Sequence, residues 1–356
     1  MLAGVLFNYG LADSHALRLT PSHGSMGLPL ASYLRRSTLA IFTLTVLLAF
    51  AGAAYQTLAT WAAARRNPEL GQLFDIGGRR LKLHCVGEGT PTTILESGLG
   101  DFLNEWKSVQ PAIAAFTRVC SYDRAGYGES DPGPSPRTSA QIADELRALL
   151  QKAGETPPYL LVGHSFGGYA VRVFNGKYPA DVTGIVLVDA TQEDQYELLP
   201  KAWLALGDSM LHRYRSQARW SPILINLGIT RLRLTLQGVD AGHLLLRPNY
   251  LKARASELEA IRTSAEQARA AGTIGAKPLV VITAGKNSDT GLRNSLTQQE
   301  LDAFENTWVY DLQLRLTALS TRGKRILVAD SGHDIPSERP DVVVSAVREI
   351  YELAVH

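Results

Sequence analysis

The chain has 356 residues, 45% hydrophobic and 20% charged, with a formal net charge of +2. That length holds one domain of about 250–300 residues with an ordinary core, plus a further segment. Near-neutral charge, with no basic run interleaved with aromatics, argues against nucleic-acid binding, and no repeat or low-complexity tract stands out.

The N-terminal segment differs from the rest. From Ser37 to Ala64 no residue is charged; Arg35-Arg36 precede this run and Arg65-Arg66 follow it. A helix of that length can span a bilayer, and an uncleaved anchor is the favoured reading. The alternative is a cleaved signal, since Ala49-Phe50-Ala51 and Ala51-Gly52-Ala53 are small-residue cleavage patterns and a start at Met26 would leave a short leading region. The balanced arginines leave the orientation open. Residues 1–67 are thus expected to be an N-terminal segment with an anchor or signal, hydrophobic at about 37–64.

After Asn67-Pro68 the pattern becomes α/β. "GQLFDI" and "RRLKLHCV" flank Gly77-Gly78, a hairpin signal. "TTILESGLG", "TRVCSYD", "PYLLVGHS", "GIVLVDA", "KPLVVITAG" and "KRILVADSGH" read as further strands. "SAQIADELRALLQKAG" has helical period, with Ser139 as the expected N-cap and Gly154 as the stop; Pro340 opens a closing helix. Alternating strands and helices predict a mostly parallel sheet covered on both faces. The long stretch from Thr191 to Ala276 lacks strand character and contains the helical "ASELEAIRTSAEQARAAG", so it reads as a helical cap over the sheet.

The most telling motif is Gly163-His164-Ser165-Phe166-Gly167, followed by Gly168. It fits G-x-S-x-G, a strand-to-helix turn that presents a nucleophilic serine; a plain glycine-rich packing turn is the alternative. A side chain at Gly163 or Gly167 would collide with the neighbouring strand or helix. The two cysteines, Cys85 and Cys120, have no metal-ligand spacing, so zinc is not expected and free buried thiols are the plain reading.

Six pieces occur in order: "ESGLG", "SYDRAGYGES", "LVGHSFGG", "GIVLVDA", "PLVVITAG" and "SGHDI". On these the chain from about Gly71 onward resembles the α/β-hydrolases, most closely a membrane-tethered or secreted bacterial subgroup with a helical cap. The resemblance implies an α/β-hydrolase fold: an eight-stranded, mostly parallel sheet with the cap inserted after the sixth strand. The core would comprise residues 68–190 and 277–356, the cap 191–276. It also makes the strands of Cys85 and Cys120 sheet neighbours, which would permit a disulfide outside the cytoplasm.

The same resemblance implies roles. Ser165 is the expected nucleophile, needing a base within hydrogen-bond reach. Of the eight histidines, His333 alone follows the last strand, where this fold presents its base, whereas His164 reads as a packing or hydrogen-bonding residue. The acid that orients the imidazole is Asp189, at the end of "GIVLVDA", or alternatively Asp289 in "GKNSD". The oxyanion hole falls to the backbone N–H groups of Phe166 and Leu99, with Ser97-Gly98 in place of a common His-Gly pair. Asp123 and Arg124 read as structural. The cap arginines Arg213, Arg215, Arg219, Arg231, Arg233 and Arg247 read as solvated, with contact to lipid head groups as a lesser reading.

These residues imply a serine hydrolase cleaving a small-molecule ester or related acyl bond without metal or organic cofactor. Acyl transfer, amide or carbon–carbon bond hydrolysis and cofactor-free haloperoxidation would use the same triad, and a catalytically dead membrane-tethered binding protein is a remote alternative. The expected location is a membrane, through the N-terminal helix, with the catalytic domain outside the cytoplasm; secretion or a periplasmic location after signal cleavage is the alternative.

Overall fold

Short apolar runs bounded by glycines form the centre of the sheet. The computed structural model describes residues 30–66, 70–239, 244–286 and 290–355. Eight strands, β1 (Gln72–Asp75), β2 (Arg80–Val86), β3 (Thr92–Glu96), β4 (Val119–Asp123), β5 (Tyr159–His164), β6 (Val182–Val188), β7 (Leu279–Ala284) and β8 (Gly323–Val328), pair in the order β1-β2-β4-β3-β5-β6-β7-β8. β2 runs antiparallel to both β1 and β4, and the remaining pairs are parallel. Every residue of β3, β4, β5 and β7 is buried, as expected for parallel strands covered on both faces.

The period-two alternation of the strands divides the core in two. Ile94, Leu161, Ile185, Leu187 and Val281 pack on one side, with the helices Ser139–Ala153 and Gly167–Lys177. Leu95, Leu160, Val162, Val186 and Ile282 pack on the other, against Trp106 and the closing helix Pro340–Val355. Gly154 ends its helix at φ +78°, as expected, but the N-cap is Thr138, whose hydroxyl accepts from the Gln141 N–H. Ser139 is one residue inside, where its own N–H donates to Ser264; both residue types cap well, so pattern alone places the boundary only to within a residue.

Between β6 and β7 the described chain is helical at Gln195–Leu198, Lys201–Asn226, Ile229–Leu236, Pro248–Glu259 and Ile261–Ala270. Two expectations change. Cys85 and Cys120 are not free thiols: they face each other across the antiparallel β2–β4 pair and form a disulfide. Nor are all cap arginines solvated, since Arg231 is buried and Arg247 donates to the Gly128 carbonyl. Between β7 and β8 the expectations above include no helix, although Thr297-x-x-Glu300 is a helix-start pattern. The described residues there include Gln298–Thr307, opened by a Thr297/Glu300 capping box, and a π-helical turn at Trp308–Leu312.

The chain divides into two compact units, Met1–Phe50 and Ala51–His356. Among the described residues of the first, 30–50 are helical and belong to the helix Leu30–Arg66. That helix is long and apolar enough to cross a membrane, by length and composition. The eight strands and the helices between β6 and β7 belong to the second.

Candidate active site

β5 ends at His164 and the next helix begins at Gly167, so the chain must reverse within two residues. Ser165 does this at φ +52°, in the left-handed region that costs a non-glycine residue about 1–2 kcal/mol. The surroundings hold it there: its N–H donates to Val188, and its carbonyl accepts from the N–H groups of Gly168 and Thr191, each at 3.0 Å. The flanking glycines are sterically required. A Cβ on Gly163 would lie 2.7 Å from the Gly167 carbonyl oxygen, and one on Gly167 would lie 2.6 Å from that of Glu96.

His333 meets this serine from the loop after β8. Its Nε2 is 2.9 Å from Ser165 Oγ, and its Nδ1 is 2.6 Å from Asp189 Oδ2. The imidazole is half exposed, whereas Asp189 is buried at the end of β6 with φ +38°. The second oxygen of Asp189 accepts from the Ala284 N–H at 3.1 Å and from the Trp308 indole N–H at 3.0 Å. Both of its oxygens are therefore engaged. Asp289, the alternative acid, lies outside the described residues.

Phe166 and Leu99 line the cavity above Ser165, and among the described residues neither backbone N–H donates to a protein acceptor. The loop carrying Leu99 is gripped from below by Arg124. Its guanidinium donates to the carbonyls of Ser97 and Gly98, both at 2.7 Å, and pairs with the buried Glu96 and Glu257. The structural reading of Arg124 thus acquires a specific content. Asp123 likewise accepts from the Leu103 N–H, and burial pushes its carboxyl up to about 6.

His164 is a second brace. One ring nitrogen pairs with Glu105, whose other oxygen accepts from the Gly98 N–H; the other nitrogen is 2.9 Å from the His333 carbonyl oxygen. Burial alone would lower its pKa, but the Glu105 carboxylate drives it up to about 9. Burial favours protonation of Glu105, and the His164 charge outweighs it, holding Glu105 below the usual range. Asp101, Glu105 and His164 place potential metal ligands within 4.8 Å of one another, but two of the three already neutralise each other.

The cavity has a volume of about 450 Å³. One wall is a column of aromatic rings, Tyr196, Trp203, Phe304 and Trp308, with successive centroids 6.4, 6.2 and 5.9 Å apart. Sequence reasoning missed this column. A signal for its second half, Phe304 and Trp308, is the density of aromatic residues after the Thr297/Glu300 capping box.

A sequence profile described as "Alpha/beta hydrolase family" matches residues 94–346. The chain belongs to the α/β-hydrolase family. Among relatives, it is 26% identical over 268 residues to the uncharacterized protein YqjL of Bacillus subtilis, covering 75% of this chain and 86% of that one. It is 31% identical over 174 residues to the probable transporter efuK of Hormonema carpetanum, but spans only 25% of that protein and 43% of itself. Among solved structures, a thermophilic esterase from Thermogutta terrifontis superposes with a TM-score of 0.55 at 21% identity, covering 78% of this chain and 94% of the esterase. At that identity the likeness establishes the shared fold, an α/β-hydrolase sheet with its helices.

Proposed function

We propose that the protein is a serine hydrolase acting on carboxylic esters, with Ser165 as nucleophile, His333 as base and Asp189 as the acid. The observation that carries this reading is one imidazole within hydrogen-bond distance of both partners, Ser165 Oγ at 2.9 Å and Asp189 Oδ2 at 2.6 Å. A serine hydroxyl is a weak nucleophile until a base removes its proton, and the aspartate holds the tautomer that leaves Nε2 free to do so.

On this reading Ser165 Oγ attacks the ester carbonyl while its proton passes to His333 Nε2. The N–H groups of Phe166 and Leu99 take up the charge on the tetrahedral oxygen. His333 returns the proton to the leaving alcohol, giving an acyl-serine. Water then gives a proton to His333 and its oxygen to the acyl carbon; the bond to Ser165 Oγ breaks, His333 returns the proton to that oxygen, and the acid is released. The membrane-crossing composition of Leu30–Arg66 supports anchoring, and the Cys85–Cys120 disulfide suits an oxidising compartment outside the cytoplasm.

The test is hydrolysis of a short p-nitrophenyl ester by the full chain in detergent. Ser165→Ala and Asp189→Asn should each lose about 10⁴-fold in kcat, with Asp289→Asn unaffected. If Asp289→Asn is the crippled variant, the acid assignment falls and the reaction class stands. Full activity in Ser165→Ala sinks the proposal.

A further inference from the structure

We propose that the cap helices Lys201–Asn226 and Ile229–Leu236 rest on an anionic lipid bilayer, with their apolar side chains inserted at its surface. The first observation is an apolar face that water alone would leave unpaired. Trp220, Ile223 and Leu224 occupy one stripe of the first helix, and Ile229, Leu232 and Leu236 one stripe of the second. All six are exposed, up to 79% for Leu236. A patch of this kind on a monomer marks a surface that meets something apolar.

Charge names the occupant. The segment Ser209–Val239 carries five arginines, at 213, 215, 219, 231 and 233, and no acidic residue. Arg215 pairs with Glu259 and Arg231 is turned inward, but Arg213, Arg219 and Arg233 are exposed beside the apolar stripes. Apolar side chains flanked by arginine are the composition of helices that lie in a headgroup layer, where each cation also gains from anionic lipid.

Position agrees. The last turns of the apolar helix pack on the same part of the cap. Gly52 and Gly228 allow the two backbones to touch: a Cβ on Gly228 would lie 2.5 Å from the Gly52 carbonyl oxygen. Arg231 donates to Gln56 at 2.9 Å and Thr60 at 3.2 Å, and the Tyr55 and Thr235 hydroxyls are 3.3 Å apart. The cap therefore packs on residues 52–60 of a helix of membrane-crossing composition, about two to four turns before its end at Arg66. The helix Lys201–Asn226 also supplies Trp203, Leu204, Leu211 and Tyr214 to the cavity over Ser165. One helix thus joins the lipid-facing surface to the cavity, which, resting on the ester-hydrolase reading, would admit substrates dissolved in the bilayer.

The test uses the full chain reconstituted in vesicles of phosphatidylcholine and phosphatidylglycerol, with and without acyl-brominated lipid. The emission of Trp220 is taken as the difference between the unaltered chain and Trp220→Phe. Bromolipid should quench it about two-fold, and iodide in the aqueous phase should barely affect it. Quenching by iodide and not by bromolipid overturns the proposal. So does shielding from both with a mass of two chains, which would put a second copy on this face. As a second readout, Ile223→Glu with Leu232→Glu should slow hydrolysis of a long-chain ester held in the vesicles about ten-fold, leaving a water-soluble ester unaffected. Equal rates on both also overturn it. The fluorescence arm does not depend on catalysis, so failure of the hydrolase reading leaves it interpretable.

Discussion

The indole N–H of Trp308 donates to Asp189 Oδ1 at 3.0 Å, the carboxylate oxygen that His333 does not use. Trp308 stands in the π-helical turn and stacks on Phe304 in the cavity wall. It therefore ties the wall of the cavity to the proposed acid of the triad. Trp308→Phe keeps the ring and removes the donor, leaving a buried carboxylate oxygen with one partner fewer, a loss of about 1–3 kcal/mol. A carboxylate less firmly fixed orients His333 less well, so kcat should fall about ten-fold with little change in KM. Steady-state kinetics on a p-nitrophenyl ester decide it; a change in KM alone would mean that Trp308 acts only as wall.

His164 makes stability depend on alkaline pH. Its two ring nitrogens face two acceptors, Glu105 and the His333 carbonyl, and only the imidazolium donates to both. Against burial, Glu105 raises its folded pKa to about 9, above the unfolded value of roughly 6.5. A raised folded pKa contributes stability that is complete below the unfolded value and lost as pH climbs through the folded one. The melting temperature should therefore decline between roughly pH 6.5 and pH 9, more steeply than in His164→Gln, which cannot carry the charge. Parallel declines in the two proteins would show that the pair plays no such part.

The disulfide gives a prediction for folding. Cys85 and Cys120 close a loop with a sequence separation of 35, for which chain entropy alone gives about 3–4 kcal/mol. Cys85→Ser with Cys120→Ser should lower the urea midpoint accordingly, and the unreduced protein should show no titratable thiol. Two titratable thiols in protein recovered from an oxidising compartment would contradict the pairing.

The contrast between these features shows what a sequence exposes. The elbow is legible because its chemistry is local: Gly163 and Gly167 lie where backbone approaches within 3 Å of any Cβ. The strand ends carrying Asp189 and the loop carrying His333 follow from apolar runs that stop abruptly, so the three side chains the structure brings together could be named from pattern and resemblance. The cysteine pairing depends on the register of two strands that are not consecutive, β2 and β4, which alternation along either strand does not specify. Trp308 reaches Asp189 across a separation of 119 residues, through a π-turn that has no periodic signature. Arg231 reads as a solvated cation until Gln56 and Thr60, in a helix far earlier in the chain, are found over it.

Arg124 offers the sharpest separation between folding and function. Its buried guanidinium satisfies Glu96, Glu257 and the carbonyls of Ser97 and Gly98, a fork that a lysine ammonium cannot reproduce. Arg124→Met would leave the two carboxylates buried without their cation, a loss of about 3–5 kcal/mol. Adding Glu257→Gln removes one of those charges while keeping an acceptor for the Tyr127 hydroxyl, so part of the stability should return. Activity should not. The carbonyls of Ser97 and Gly98 still lack the donors that fix the loop bearing the Leu99 N–H, and kcat in both variants should stay down about 10²-fold, the scale of losing one oxyanion donor. Urea titration and ester kinetics on the same two proteins separate the effects: if kcat recovers in step with stability, Arg124 supports the fold and has no hold on the proposed oxyanion loop.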